Sequence, residues 1–305
     1  MALSLMLGAK SIPLSDVYHA LTASCSSAEC IIVRDARLPR TLAGLLAGAL
    51  MQSLTRNPLA EPGILGVNAG AGFAIVLGIA LLGADSPLQW LTLAFSGALL
   101  AALLMTVIGA MGGGRVNPVR LTLAGVALAA VLEGLTSGLS LLNPDIYDHL
   151  RFWQSGSLDI RDFSVLRTLS PAVLAGAALA LGLAQSLNSL SMGGDMAAAL
   201  GTRVVRTQLL GLLAIALLSG AATAAVGPIA FIGLMTPHFA RWLVGNDHRW
   251  LLPATALITP ALLLAADILG RMMVAGELRV SIVTAILGAP MLILLVRRQR
   301  GRGGL

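Results

Sequence analysis

Glu133 sits inside the apolar run LAAVLEGLTSG, and Thr136, Ser137 and Ser140 follow it at spacings of three, four and seven residues. On a helix those spacings place all four on one face. A carboxyl within a membrane-spanning helix is expensive and usually has a task. Three roles suit it: lining a polar pathway, relaying a proton, or standing neutral in a hydrogen bond to a neighbouring helix. A relay needs a second intramembrane ionisable group, and Asp267, near a helix end, is the candidate. Pathway lining by Glu133, Thr136, Ser137 and Ser140 is therefore the expectation, with polar packing between helices as the competing reading.

Little else in the chain has catalytic spacing. A phosphate-binding loop needs G-x-x-x-x-G-K-[ST], and Lys10, the one lysine, stands in Gly8-Ala9-Lys10-Ser11 without those glycines. ATP hydrolysis is thus not expected of this chain. Neither a Ser/His/Asp order nor HExxH occurs, so no catalytic residue and no metal ligand set is expected. His238 has no second ligand within reach by spacing and reads as a packing residue. Cys25 and Cys30, spaced C-x4-C, either close a local disulfide in an oxidising compartment or stay as two thiols.

The elements that must position these residues are membrane helices. Hydrophobic residues make up 57% of the 305, charged residues only 11%, and aliphatic runs recur about every 20 residues, which a soluble core does not explain. Nine apolar segments are predicted at 42–54, 67–83, 88–110, 121–142, 170–187, 207–226, 229–244, 251–268 and 280–296. The fold class is all-α and polytopic, a single transmembrane domain over 1–305 with about eight full spans and one short segment. Many of the 34 glycines lie inside the apolar runs, where small residues let helices approach. Backbone breaks are predicted at Gly227-Pro228 and Pro237-His238.

Charge sorts the loops. One alternating set carries eleven arginines against three carboxylates, the other nine basic residues against ten carboxylates. By the positive-inside rule the first set is cytoplasmic, and the C-terminus with it. The arginine excess therefore reports topology, not nucleic-acid binding. Residues 11–40 become an external loop, 143–167 an external mixed-charge segment with interfacial aromatics, and 188–206 a cytoplasmic loop. Within that last loop Asp195 is expected to cap a short helix that Gly201 stops in a left-handed conformation. The helix, Asp195, Met196, Ala197, Ala198, Ala199, Leu200 and Gly201, offers an apolar surface to water and so asks for a partner.

The stretch Arg37–Gly72, with RLPR, AGLLAG and QSLTRNPLAEPGILGVNAGAG, resembles the permease subunits of bacterial ATP-binding-cassette importers for ferric siderophores, haem and vitamin B12. GPIAFIGLMTPHFAR (Gly227–Arg241) and LRVSIVTAILGAP (Leu278–Pro290) extend the resemblance over nearly the whole chain. The middle and end are most similar to the branch that carries ferric catecholate siderophores such as ferric enterobactin, and to the first of its two paralogous permeases. The resemblance implies ten transmembrane helices with both ends in the cytoplasm of the bacterial inner membrane. Its partners would be an ATPase dimer that uses ATP and Mg, a second permease subunit, and a periplasmic siderophore-binding protein. It assigns ATPase coupling to Asp195–Gly201, the external gate to 143–167, and binding-protein docking to Arg37 and Arg40, with Arg271 and Arg279 as further candidates. Interfacial snorkelling is the plainer role for those arginines.

The chain departs from the family in two places near its start. Between RLPR and the RNPL turn, Thr41–Thr55 supplies 15 residues, about 22 Å of helix against a hydrocarbon core of roughly 30 Å. About seven residues of the pattern are missing after Leu46, and the first helix of the family is nearly absent before Lys10. A truncated, non-functional remnant is therefore one alternative. A permease for another iron chelate, haem or vitamin B12 is a second, and a proton-coupled secondary transporter built on Glu133 and broken helices is a third.

Overall fold

The structure, a computed structural model, describes residues 62–111, 117–156, 163–273 and 278–300. Every regular element among them is helical. A short 3-10 turn, Pro62–Leu65, leads into α1 (Val67–Leu82), α2 (Pro87–Ala110), α3 (Pro118–Leu142) and the short α4 (Pro144–Gln154). Then come α5 (Phe163–Gly182), α6 (Ala184–Ser191), α7 (Gly194–Ala199), α8 (Val204–Val226), α9 (Ile232–Val244), α10 (His248–Met273) and α11 (Val280–Arg300).

Three consecutive helices start by one device. Ser86-Pro87, Asn117-Pro118 and Asn143-Pro144 each place a polar cap before a proline at the first helical position. The cap side chain accepts backbone N–H bonds that the first turn leaves over, and proline has no N–H to strand there. Ser86 and Gln89 complete a reciprocal capping box.

Among the described residues, four helices are long and apolar enough to cross a membrane, spanning 87–110, 119–142, 204–226 and 248–270. A fifth crossing arises if α5 and α6 count as one span, bent by 53°. Of the other segments expected to span, α1 is 16 residues, about 24 Å long, and α9 only 13. The expected break at Pro237-His238 is also absent, because Pro237 lies within α9. Thr236 Oγ1 donates to Ile232 O (2.8 Å) and His238 Nδ1 lies 2.8 Å from Leu234 O, the carbonyls on either side of Gly233, whose helical partner would be the N–H that Pro237 lacks. The segment 42–54, the N-terminal loop and both cysteines lie outside the described residues.

Packing divides the helices into two groups. In the larger, α8 is the central post, 67% of its span being buried, whereas α3 is peripheral at 17%. Ile75 of α1, Met105 of α2, Leu121 of α3, Leu187 of α6, and Leu212 and Ile215 of α8 share one core. At the crossing of α1 and α2 a Cβ on Gly70 would stand 2.5 Å from Gly97 O, so only glycine permits that approach. In the smaller group Ile232 of α9, Leu263 and Leu264 of α10, and Val280 and Val283 of α11 form a second core with Val226.

Candidate functional site: a polar cleft and the two ends of the bundle

Five separated stretches of the sequence converge on one open cleft of about 680 Å³. Asn68 comes from the start of α1, Ala130 and Glu133 from α3, Gln154 from the end of α4, Pro228 from the break after α8, and Ser281 from α11. Asn68 is held in place by Thr223 of α8, whose Oγ1 donates to its Oδ1 at 3.0 Å. The polar side chains therefore arrive on four different helices, which a lone helix periodicity does not reveal. Asn68 and Ser281 stand inside the signature stretches GILGVN and LRVS, but nothing in their spacing marks them as partners of Glu133.

The single polar face expected on α3 is split. Glu133 and Ser137 are exposed, while Thr136 and Ser140 are buried. Ser140 donates its hydroxyl to Thr136 O at 2.8 Å, an intrahelical bond, and Thr136 Oγ1 makes no hydrogen bond among the described residues. At about 100° per residue the four side chains span about 100° of arc, and the packed boundary of the helix runs through that arc. Asp267 is buried in α10 and does not line the cleft, so the second group of a proton relay is not beside Glu133.

Above the cleft, α4 lies across the bundle with Ile146 and Leu150 buried against Val76 of α1. Its last turn is held by the head of α11. Arg279 donates to Phe152 O at 2.6 Å, and its guanidinium stacks 5.0 Å from the Phe152 ring centroid. The Ser281 hydroxyl donates to Ser155 O. The Arg279 guanidinium, read from sequence as a docking candidate, is thus engaged with the end of α4. Side chains of Arg37, Arg40 and Arg271 lie outside the described residues.

The same corner contains the break after α8. Gly227 takes φ 75° and Phe231 φ 68°, the left-handed region that side chains disfavour. A Cβ on Gly227 would collide with Trp153 O, and one on Gly156 would come within 2.5 Å of Pro228 O. Glycines at both positions let two backbone turns touch.

At the opposite end α6 and α7 protrude. The residue capping α7 is Gly193, at φ 121°, and not Asp195, which stands in the first turn of a helix bounded Gly194–Ala199. The Gly193-Gly194 pair lets the chain turn into the helix before Asp195 is reached. A carboxylate still suits that position, near the positive end of the helix. The C-terminal reading holds: Gly201 is left-handed at φ 80°, Gly201 N–H bonds Ala198 O (2.9 Å), and Thr202 N–H bonds Ala197 O (2.9 Å). That pair is the Schellman pattern, which satisfies the last carbonyls. Ala197 is wholly buried, whereas Met196, Ala198, Ala199 and Leu200 are exposed. Beside them Ala198, Val205 and Leu209, with Arg203 and Arg206, line a groove of about 610 Å³.

One polar cluster escaped the reading of sequence. Asn188 of α6 donates its Nδ2 to Asp247 Oδ1 (2.6 Å) and accepts at Oδ1 from His248 N–H (2.8 Å) and from His248 Nδ1 (2.6 Å). Asp247 Oδ1 also caps α10 by accepting Arg249 N–H at 3.0 Å. These hydrogen bonds, Arg249 N–H foremost, hold the exposed Asp247 carboxyl below the usual carboxylate range. A lone Asn in a loop carries no periodic signal.

Comparison with known proteins extends these observations. A profile of the FecCD transport family matches residues 1–298. The chain is 66% identical over 310 residues to the ferric enterobactin transport system permease protein FepD of Escherichia coli K12, covering 99% of this chain and 92% of that one. It is 39% identical over 277 residues to the hemin transport system permease protein HmuU of Yersinia pestis, covering 87% and 82%. A solved metal-chelate type ABC transporter in an inward-facing conformation superposes with a TM-score of 0.81 at 28% identity, covering 97% of this chain and 94% of that chain.

Proposed function

The chain belongs to the FecCD transport family, and on that premise we propose that it passes a ferric catecholate siderophore, ferric enterobactin, from periplasm to cytoplasm. It is a multi-pass membrane permease, which sets aside the proton-coupled secondary transporter. The cargo reading rests on the 66% identity to a ferric enterobactin permease. A permease for another iron chelate or haem is the alternative that the more distant relatives support.

The observation that carries an ATP-driven mechanism is α7. A helix that displays Met196, Ala198 and Leu200 outward, closed at its end by a left-handed glycine, is built to dock. The partner is a separate ATPase dimer that supplies ATP and Mg, this chain itself carrying neither. That places the α7 end, and the C-terminus, in the cytoplasm, and α4 beneath a periplasmic binding protein. Arg37, Arg40 and Arg271 would meet carboxylates of that protein. A second paralogous permease would close the cleft around Glu133, Asn68 and Gln154, so that cargo moves between two subunits. Glu133 and Ser137 line the path in this reading, while Thr136 and Ser140 support α3 from its packed side. Within the single domain 1–305, residues 11–40 are then the external loop, 143–167 the gate region and 188–206 the coupling loop.

Proteoliposomes holding the chain with its second permease and ATPase, given binding protein loaded with radiolabelled ferric enterobactin, should accumulate iron only with ATP inside. Uptake of haem but not of ferric enterobactin would overturn the cargo reading. Uptake that follows a proton gradient without ATP would overturn the mechanism.

A further inference from the structure

The smaller helix group, α9 to α11, is tied to the larger group by a polar clasp at each end. At the α7 end the tie is Asn188 to Asp247 and His248; at the α4 end it is Arg279 and Ser281 to the carbonyls of Phe152 and Ser155. Between the clasps runs α10, continuous from His248 to Met273. Its last turn meets the head of α11 through Leu278 N–H on Gly270 O, at 3.1 Å.

We propose that Asn188 is the positioning residue through which movement of the coupling segment reaches the gate. The inference rests on the transport reading above. Asn188 is on α6, which the turn at Met192-Gly193 joins to α7, so a push on α7 is delivered to α6. One carboxamide grips both the cap and the first residue of α10, by its donor and its acceptor together. Asparagine alone supplies both functions at that length; a leucine would fill the space and let the two segments slide. His248 is buried at 5% exposure, and both its backbone N–H and its ring Nδ1 meet this acceptor. Displacing α6 therefore drags the start of α10, and α10 carries the displacement to Arg279, Ser281 and the end of α4. None of Asn188, Asp247 and His248 lines the cleft or stands on the exposed face of α7, so losing their bonds should leave ATPase docking and cargo contact in place.

A charge swap tests this in the assembled importer in proteoliposomes. Asn188→Asp alone sets two carboxylates at the 2.6 Å contact with Asp247 and breaks the clasp. Asn188→Asp with Asp247→Asn restores the bond with its donor reversed, and asparagine still caps α10. The single variant should retain its ATPase subunits and basal hydrolysis while ferric enterobactin uptake falls on the order of tenfold, the scale of one charge-assisted bond. The swap should return uptake to within about twofold of the parent. If the single variant folds too poorly to assay, recovery of both yield and uptake by the swap still supports the clasp. Parent-level uptake by the single variant, loss of its ATPase subunits, or no recovery in the swap would overturn it. A parent chain that retains no ATPase at all would instead strike the transport reading on which the clasp depends.

Discussion

At the α4 end backbone meets backbone: Gly156 and Gly227 leave no room for a Cβ, and the contacts of Arg279 and Ser281 also end on main-chain carbonyls. At the α7 end the left-handed residues Gly193 and Gly201 have open space around them, the contacts between segments run through side chains, and apolar residues face outward. A corner closed through backbone moves as a block, because backbone bonds have few alternative geometries and packed interiors do not deform continuously. Side-chain contacts can exchange partners at small cost. The permease thus has one end shaped by internal fit and another that keeps apolar side chains outward.

The largest effect is expected where that contrast is sharpest. Gly227→Ala should destabilise the chain by about 3 kcal/mol or more, combining left-handed strain with overpacking against Trp153 O. Gly201→Ala, with the strain but no collision, should cost only about 1 kcal/mol. Thermal unfolding in detergent reads both, and equal losses would erase the difference between the two ends.

Next comes Ala198→Arg, which puts a charge into the outward apolar surface without disturbing the fold. Uptake and binding-protein-stimulated hydrolysis should drop about tenfold, the worth of one desolvated charge, at unchanged melting temperature. ATPase stimulation at the parent's level would show that α7 is not the docking element.

A smaller change is expected from Arg37→Glu combined with Arg40→Glu. Association with the binding protein should slow severalfold at low salt, and the deficit should shrink near 0.5 M salt because exposed charges are screened. Association rates that match the parent at low ionic strength would leave snorkelling as the role of these arginines.

The smallest effect is that of pH on the Asp247 clasp. Its carboxyl is held below the usual carboxylate range, so its contribution is present above the unfolded-state value and is lost as pH falls through the lower folded one. Amide exchange at the α6–α10 contact should rise over that acidic window only. Asp247→Asn should remove this dependence while keeping the cap, and exchange that still steepened in the variant would assign the effect to another group.

Much of the site's address was written in linear order, but its membership was not. The apolar runs located the described helices, and Gly201 marked the end of α7, because helix periodicity and left-handed stops are local properties. The polar caps before Pro87, Pro118 and Pro144 would have set three starts within a residue. Asp195 was misread as a cap because Gly193 and Gly194 offered an earlier turn. Pro237 was misread as a break because a proline removes only one N–H from a helix, the one that would bond Gly233 O, and α9 continues through it.

The sequence by itself determined that this chain is a helical membrane permease of the FecCD type, since burial in lipid demands apolar runs of fixed length and the signature stretches are contiguous. Only the tertiary structure decided that Glu133 shares a cleft with Asn68, Gln154 and Ser281, that Thr136 and Ser140 turn away from it, and that Asn188 grips α10. Periodicity relates side chains on one helix to each other. Which neighbour covers them depends on how helices cross, and that is set by small-residue contacts such as Gly70 on Gly97, far away in the chain.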